Sequence, residues 1–379
     1  MKNLSITKSE ESPGIKHRQK TKQFNSLIQK FTTMKKHALI LVLAFFASTV
    51  IVFGQAVPFT PPQPLVNCSD GPLTPIAGKS YNYAAIANPA GGDFLWWATQ
   101  NEQFITTVGG VTTYNNVAPD LLTVANGDLM ATSANYNVAD PQNSVDITWS
   151  SSTLGNVNPP SDPLFVALRY TTVPGCTDNF KVYEILPING FTVDVLALDP
   201  ITHLPVGADP YAYEPAQCPD TVRGASWANS VMTYNYGTDT LFFEFVAANF
   251  TDYWVPTFAL SGQNGAQGLV YEYTYDLPNT WGVATVWNPI VSGTTQIQTN
   301  EISTSGGISV FVRVTVANGT FENLAGQLLT MTLDGQNAEG SWDVVNATCT
   351  DPGAADGDDT SLQTISARPT LTPTSGAWE

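Results

Sequence analysis

From Gly78 to about Leu333 the chain is written in short β-prone runs, and no stretch of it carries three turns of helix-period pattern with capping residues. The runs include Ser80-Tyr-Asn-Tyr83, Phe94-Leu-Trp96-Trp97, Val145-Asp-Ile-Thr-Trp149, Leu164–Tyr170, Phe180–Tyr183 and Phe191–Leu196. Further along come Thr240–Val246, Leu269–Tyr275, Ile308–Val316 and Leu328–Leu333. Several alternate apolar and polar residues, as a half-buried strand does because successive side chains point to opposite faces. Gly, Pro, Asn and Asp separate them, with Asn318-Gly319 and Asp334-Gly335 at run ends that suit turns. Short strands at this spacing can bury their apolar faces only as sandwiches or barrels.

The 379 residues suffice for two or three domains. Lys35, Lys36 and His37 precede an apolar run, Ala38–Phe53, and Gly54-Gln-Ala56 supplies small residues for cleavage. Residues 34–56 therefore read as a signal peptide, and 1–33 as an upstream extension. The run is short for a membrane span. Residues 57–67 form a proline-rich lead. A first β domain over 68–198, a proline-rich linker over 199–217 and a second β domain over 218–349 follow. An acidic, Thr- and Pro-rich tail occupies 350–379. Four cysteines, Cys68, Cys176, Cys218 and Cys349, allow three pairings in an exported chain. Cys68–Cys176 with Cys218–Cys349 is favoured because it closes two consecutive units.

Charge narrows the partners. Nine of the 15 Lys/Arg and two of the 32 Asp/Glu precede residue 57, leaving six basic and 30 acidic residues and a formal charge of −24. Such a surface repels phosphate backbones, which argues against nucleic acid. The expected partners are other surface or extracellular proteins, further copies of the chain, or polysaccharide, with no membrane span after signal cleavage.

Cys68, the strand opened by Gly78-Lys-Ser-Tyr81, the tryptophan strand Phe94–Trp97, and Ile147-Thr-Trp149 lead to Val166-Ala-Leu-Arg-Tyr170, Gly175-Cys176 and Lys181-Val-Tyr183. Over roughly residues 68–196 this pattern resembles the PKD-like, immunoglobulin-like modules of secreted Bacteroidota surface proteins; the second half is only generally similar. The resemblance implies a β-sandwich that serves as a spacer or adhesion module at the cell surface, and it carries no catalytic residues. The expected fold class is all-β, with two consecutive immunoglobulin-like β-sandwich domains after a cleaved signal peptide. The expected location is the cell surface or the medium, with the periplasm as the alternative.

Chemistry is sparse. His203 is the one histidine beyond the signal, so Ser-His-Asp and Cys-His nucleophile systems lack a base, and a zinc site lacks ligands. His203 reads as an exposed linker residue. Glu244 and Glu272, each among aromatics, are the carboxylates a glycoside-active enzyme would use, but alternation makes them solvent-facing strand residues. No catalytic residue and no cofactor is expected. The acidic run Asp351–Asp359 raises Ca²⁺ as a candidate ion, with Asp356, Asp358 and Asp359 as ligands, though it lacks the spacing of an EF-hand loop. Tryptophan is in excess: Trp96 and Trp149 suit a core, while Tyr253, Trp254, Trp281 and Trp287 could form a stacking platform for carbohydrate. A non-catalytic surface or adhesion protein is the leading function, a carbohydrate-binding module the second and a glycoside-active enzyme the third.

Overall fold

The computed structural model describes residues 69–371 apart from 118, 132, 156–162, 173–177, 277–284, 300–302, 345–354, 356 and 358. Everything described lies in one compact unit, residues 59–379. Cys68, Cys176, Cys349, Trp281, Asp356 and Asp358 fall outside the described residues, as does the expected signal peptide.

The first sandwich uses β1 (Ser80–Ala84), β2 (Asp93–Thr99), β3 (Ile105–Val108), β4 (Val111–Tyr114), β5 (Leu121–Leu122), β6 (Leu129–Ala131), β7 (Ser144–Trp149), β8 (Leu164–Thr171) and β9 (Asp178–Ile185). A sheet in the order β1-β7-β6 faces one in the order β5-β2-β8-β9. Between them lie Trp96, Trp149, Val145, Ile147, Leu164, Val166 and Leu168. The inward tyrosines end in partners, as buried hydroxyls must. The Trp149 indole N–H donates to the Tyr83 hydroxyl at 3.1 Å, and Tyr83 donates to the Pro72 carbonyl at 2.5 Å. Tyr81 accepts from the Ile76 N–H and donates to Asp70.

The second sandwich begins earlier than the sequence implies. Its strands are β10 (Thr192–Ala197), β11 (Ala216–Gln217), β12 (Gly224–Ala228), β13 (Val231–Asn235), β14 (Thr238–Ala248), β15 (Tyr253–Ser261), β16 (Gly268–Thr274), β17 (Asn288–Pro289), β18 (Ile297–Gln298), β19 (Ile308–Ala317), β20 (Gln327–Asn337) and β21 (Asp359–Ile365). One sheet runs β10-β14-β19-β16-β17 and the other β11-β21-β20-β15-β18. β10, assigned above to the first domain, pairs instead with β14, because Val193, Val195 and Ala197 complete the second core. The acidic tail is corrected likewise. Residues 359–365 form an interior strand between β20 and β11, since Ser361, Gln363 and Ile365 alternate inward.

Alternation sets this core directly. β15 turns Trp254, Phe258 and Leu260 inward, β19 contributes Val310, Val312, Val314 and Val316, and β20 adds Leu329, Met331 and Leu333.

Two segments cover outer faces that alternation alone would leave wet. In the first sandwich Trp97, on the outer face of β2, is fully buried and packs on Phe180 at 5.5 Å. Phe104 and Tyr114 of the β3–β4 ribbon region close over Phe180. In the second, the linker after β10 folds over β14. His203 stacks on Phe242 with ring centroids 3.8 Å apart. The expectation of an exposed His203 is thereby corrected: it is buried, and burial lowers its pKa. Glu244, read as solvent-facing, is also fully buried, with Tyr211 of the linker close enough to feel its charge.

The sandwiches meet through a buried polar junction just beyond the end of β14. The Ser151 N–H, in the one-turn helix α1 (Ser151–Leu154), donates to Thr251 Oγ1 at 2.7 Å, and the Thr251 N–H donates back to Ser151 Oγ at 2.7 Å. Gly78 (φ +73°) sits so close that an added Cβ would lie 3.1 Å from the Phe250 carbonyl oxygen.

Two outcomes follow from this packing. Trp254→Ala, which opens a cavity in the second core, should cost about 3–5 kcal/mol in urea unfolding. Thr251→Val strands buried donors at the junction and should cost about 1–3 kcal/mol in the same measurement, with both cores otherwise intact.

Candidate interaction surface

The expected aromatic platform does not assemble. Trp254 is 0% exposed because its position on β15 points between the sheets. Tyr253 is half-buried beside it on the opposite face. Trp287 is half-buried and stands by the other sheet, where the Arg313 guanidinium lies 4.4 Å from its ring centre and Arg313 pairs with Glu272 at 2.7 Å. A face shared by Trp254 and Trp287 is therefore excluded: one lies inside the core and the other outside a different sheet.

Cys218 is exposed and free, and its expected partner Cys349 lies outside the described residues. Asp359 is 8% exposed and heads β21. Among the described residues no group of three His, Cys, Asp or Glu is arranged to hold a metal ion.

The β12–β13 hairpin, like β3–β4, pairs with no other strand among the described residues. Asn229 (φ 52°) and Ser230 (φ 63°) form its two-residue turn, the left-handed pair that matches the twist of a hairpin. Register places Ala225 opposite Tyr234 and Trp227 opposite Met232, so all four share one face. Ser226, Thr233 and Asn235 occupy the other. Every residue of both strands is exposed: Trp227 at 64%, Met232 at 42%, Tyr234 at 42% and Val231 at 59%. Residues 224–238 contain no charged side chain.

The root of the hairpin is anchored. Asp220 takes a two-point contact from Arg223, Nε to Oδ2 at 3.0 Å and Nη2 to Oδ1 at 2.8 Å. It also accepts from the Thr238 and Thr221 N–H groups. Hydrogen bonding from Arg223, with help from those amides, holds the Asp220 carboxyl at about 2. Tyr234 packs on Tyr236 at 5.9 Å, and the Arg368 guanidinium lies 5.0 Å from the Tyr236 ring centre and donates to the Tyr236 carbonyl. The ribbon thus leaves the sandwich where β14 starts, at the opposite end from the Thr251 junction.

The sequence signal for this hairpin was present but weak. Trp227 counts among the surplus tryptophans, yet Asn-Ser is a poorer hairpin marker than Asn-Gly. Nothing in the pattern says that both faces stay exposed.

Fold and surface together define a class: an all-β chain of two consecutive β-sandwiches bearing, among the described residues, an uncovered aromatic ribbon. No protein-family model matches the chain, and no curated protein matches it in sequence. Among solved structures it is similar to the C-terminal domain of the Streptococcus agalactiae AgI/II polypeptide BspA, at 9% identity and a TM-score of 0.18, over 70% of this chain and 91% of that one. The collagen adhesin CNA from S. aureus matches at 9% identity and a TM-score of 0.18, over 78% and 90% of the two chains. The collagen-binding domain of Erysipelothrix rhusiopathiae surface protein RspB gives 7% identity and a TM-score of 0.16, over 79% and 96%. Likeness at these values specifies no shared ligand.

The root makes a pH prediction. The Asp220 carboxyl is lowered from 3.8 to about 2 in the fold, so its contribution is complete above pH 4 and is lost as pH falls through about 2. Amide exchange across residues 224–235 should therefore quicken in that window, and Asp220→Asn should show the quickened exchange already at pH 7.

Proposed function

We propose that this chain is a non-catalytic exported protein of the cell surface or extracellular space that assembles with other proteins through the β12–β13 hairpin. The observation that carries the reading is a solvent-exposed, charge-free ribbon with Trp227, Met232 and Tyr234 on one face. Exposed apolar surface of this kind marks interaction sites, and a two-stranded ribbon gains stability when something packs on it. Its edges also lack the charges and prolines that usually guard edge strands. β9, by contrast, carries Asp178, Lys181 and Glu184 along the edge of its sheet. The non-enzymatic reading draws support from the placement of His203 under the linker, stacked on Phe242, and of Glu244 out of solvent. The PKD-like resemblance of the first half fits a spacer that holds the ribbon away from its attachment.

Carbohydrate binding is the second reading, favoured by Trp227 and Tyr234 sharing a face. One experiment separates the two. Native protein is fractionated gently from its own host beside a Trp227→Ala/Tyr234→Ala variant. Wild type should migrate in a high-mass fraction and the variant as a folded monomer. A wild-type protein that is monomeric in every fraction, yet is retained by insoluble polysaccharide through Trp227, would replace assembly with glycan binding.

A further inference from the structure

Resting on the hairpin reading above, we propose that the partner of this ribbon is a second copy of the same chain, packed hairpin on hairpin about a two-fold axis. The shape of the apolar face is the first reason. Register sets its corners as Ala225 and Tyr234 in one row, Trp227 and Met232 in the next. The bulky aromatics thus occupy one diagonal, and the small and the flexible residue occupy the other. A two-fold axis lying between two such faces and running across the strands exchanges the rows. It sets Trp227 of each copy over Ala225 of the other, and Tyr234 over Met232, so bulk meets space at every corner. Met232 suits this role because its unbranched side chain adapts to an aromatic neighbour. Self-complementarity under a two-fold is what an isologous dimer requires.

Charge is the second reason. Beyond residue 56 the chain carries −24, so two copies repel over most of their surface. Two of its six basic residues, Arg223 and Arg368, stand at the hairpin root, where Arg223 pairs with Asp220. The ribbon itself has no charge and extends five residues per strand, about 17 Å, from that root. This exceeds the Debye length of about 8 Å at physiological salt, so the tips can touch while the acidic bodies stay screened. The same axis directs the two bodies to opposite sides. A glycan fits the face less well, because polar groups that would orient a sugar lie on the other side of the ribbon, at Ser226, Thr233 and Asn235.

Four side chains per copy bury on the order of 500 Å² in total, below the roughly 1,200 Å² of stable complexes. The dimer is therefore weak, and it forms where copies are concentrated on a surface.

Sedimentation equilibrium of the full exported protein, from about 1 μM to about 1 mM, tests this directly. Wild type should move from monomer mass to twice that mass. Trp227→Ala should remain monomeric throughout. Ala225→Trp is the deciding variant: it adds apolar surface at an exposed position, yet places tryptophan against tryptophan across the axis. It should lose the dimer while keeping the wild-type melting temperature. Stronger association in Ala225→Trp would mean indiscriminate stickiness and would overturn the proposal. A wild type monomeric at about 1 mM would also overturn it. If Trp227→Ala still abolished the high-mass host fraction in that case, the assembly function would stand with a different partner; if it did not, both readings would fall.

Discussion

The antiparallel pairing of β14 with β19 is the contact on which the rest of the second sandwich depends. It runs unbroken from Thr238 opposite Ala317 to Ala247 opposite Ile308. One end of β14 leads directly into the exposed hairpin and the other into the Thr251 junction with the first sandwich. The strand therefore joins the root of the hairpin to the contact between the two sandwiches. Its inward residues, Leu241, Phe243, Phe245 and Ala247, are all buried, which fixes its register because a slip of one residue would turn that whole set out of the core between the sheets. A ribbon held at the end of such a strand has a defined direction even though no other strand pairs with it.

Both sandwiches bury more than their facing sheets account for. The β3–β4 region covers Trp97 on the outside of β2, and the linker after β10 covers Phe242 and Glu244 on the outside of β14. These covers explain the runs that refuse to alternate, Phe94-Leu-Trp96-Trp97 and Leu241-Phe-Phe243. A strand wet on one face needs only every second residue apolar, whereas a strand covered on both faces can be apolar throughout. Among the described residues, closing the outer faces leaves the β12–β13 ribbon as the place where aromatic side chains on paired strands stand in the open.

The ribbon gains meaning from the charge around it. The chain has 30 acidic and six basic residues beyond position 56, and the stretch from 224 to 238 carries none of them. Charged residues are the usual means of keeping edge strands from pairing. Their absence here leaves the ribbon without electrostatic repulsion of its own, with Arg223 and Arg368 at its root.

Much of the architecture was legible in the residues themselves. Period-two runs, turn dipeptides and the absence of helical period specify an all-β chain in two halves, since those signals arise from neighbours along one strand. The core roles of Trp96 and Trp149 follow from the same local alternation. What the tertiary structure decided were matters of partnership between distant segments: that β10 joins the second half, that residues 359–365 complete an interior strand, and that Cys218 stands exposed. The exposure of Trp227 and the burial of Trp254 belong to that second group. Both lie in β-strands, and nothing local distinguishes them; only the sheet that covers one and the solvent that surrounds the other make one a core residue and the other an exposed one.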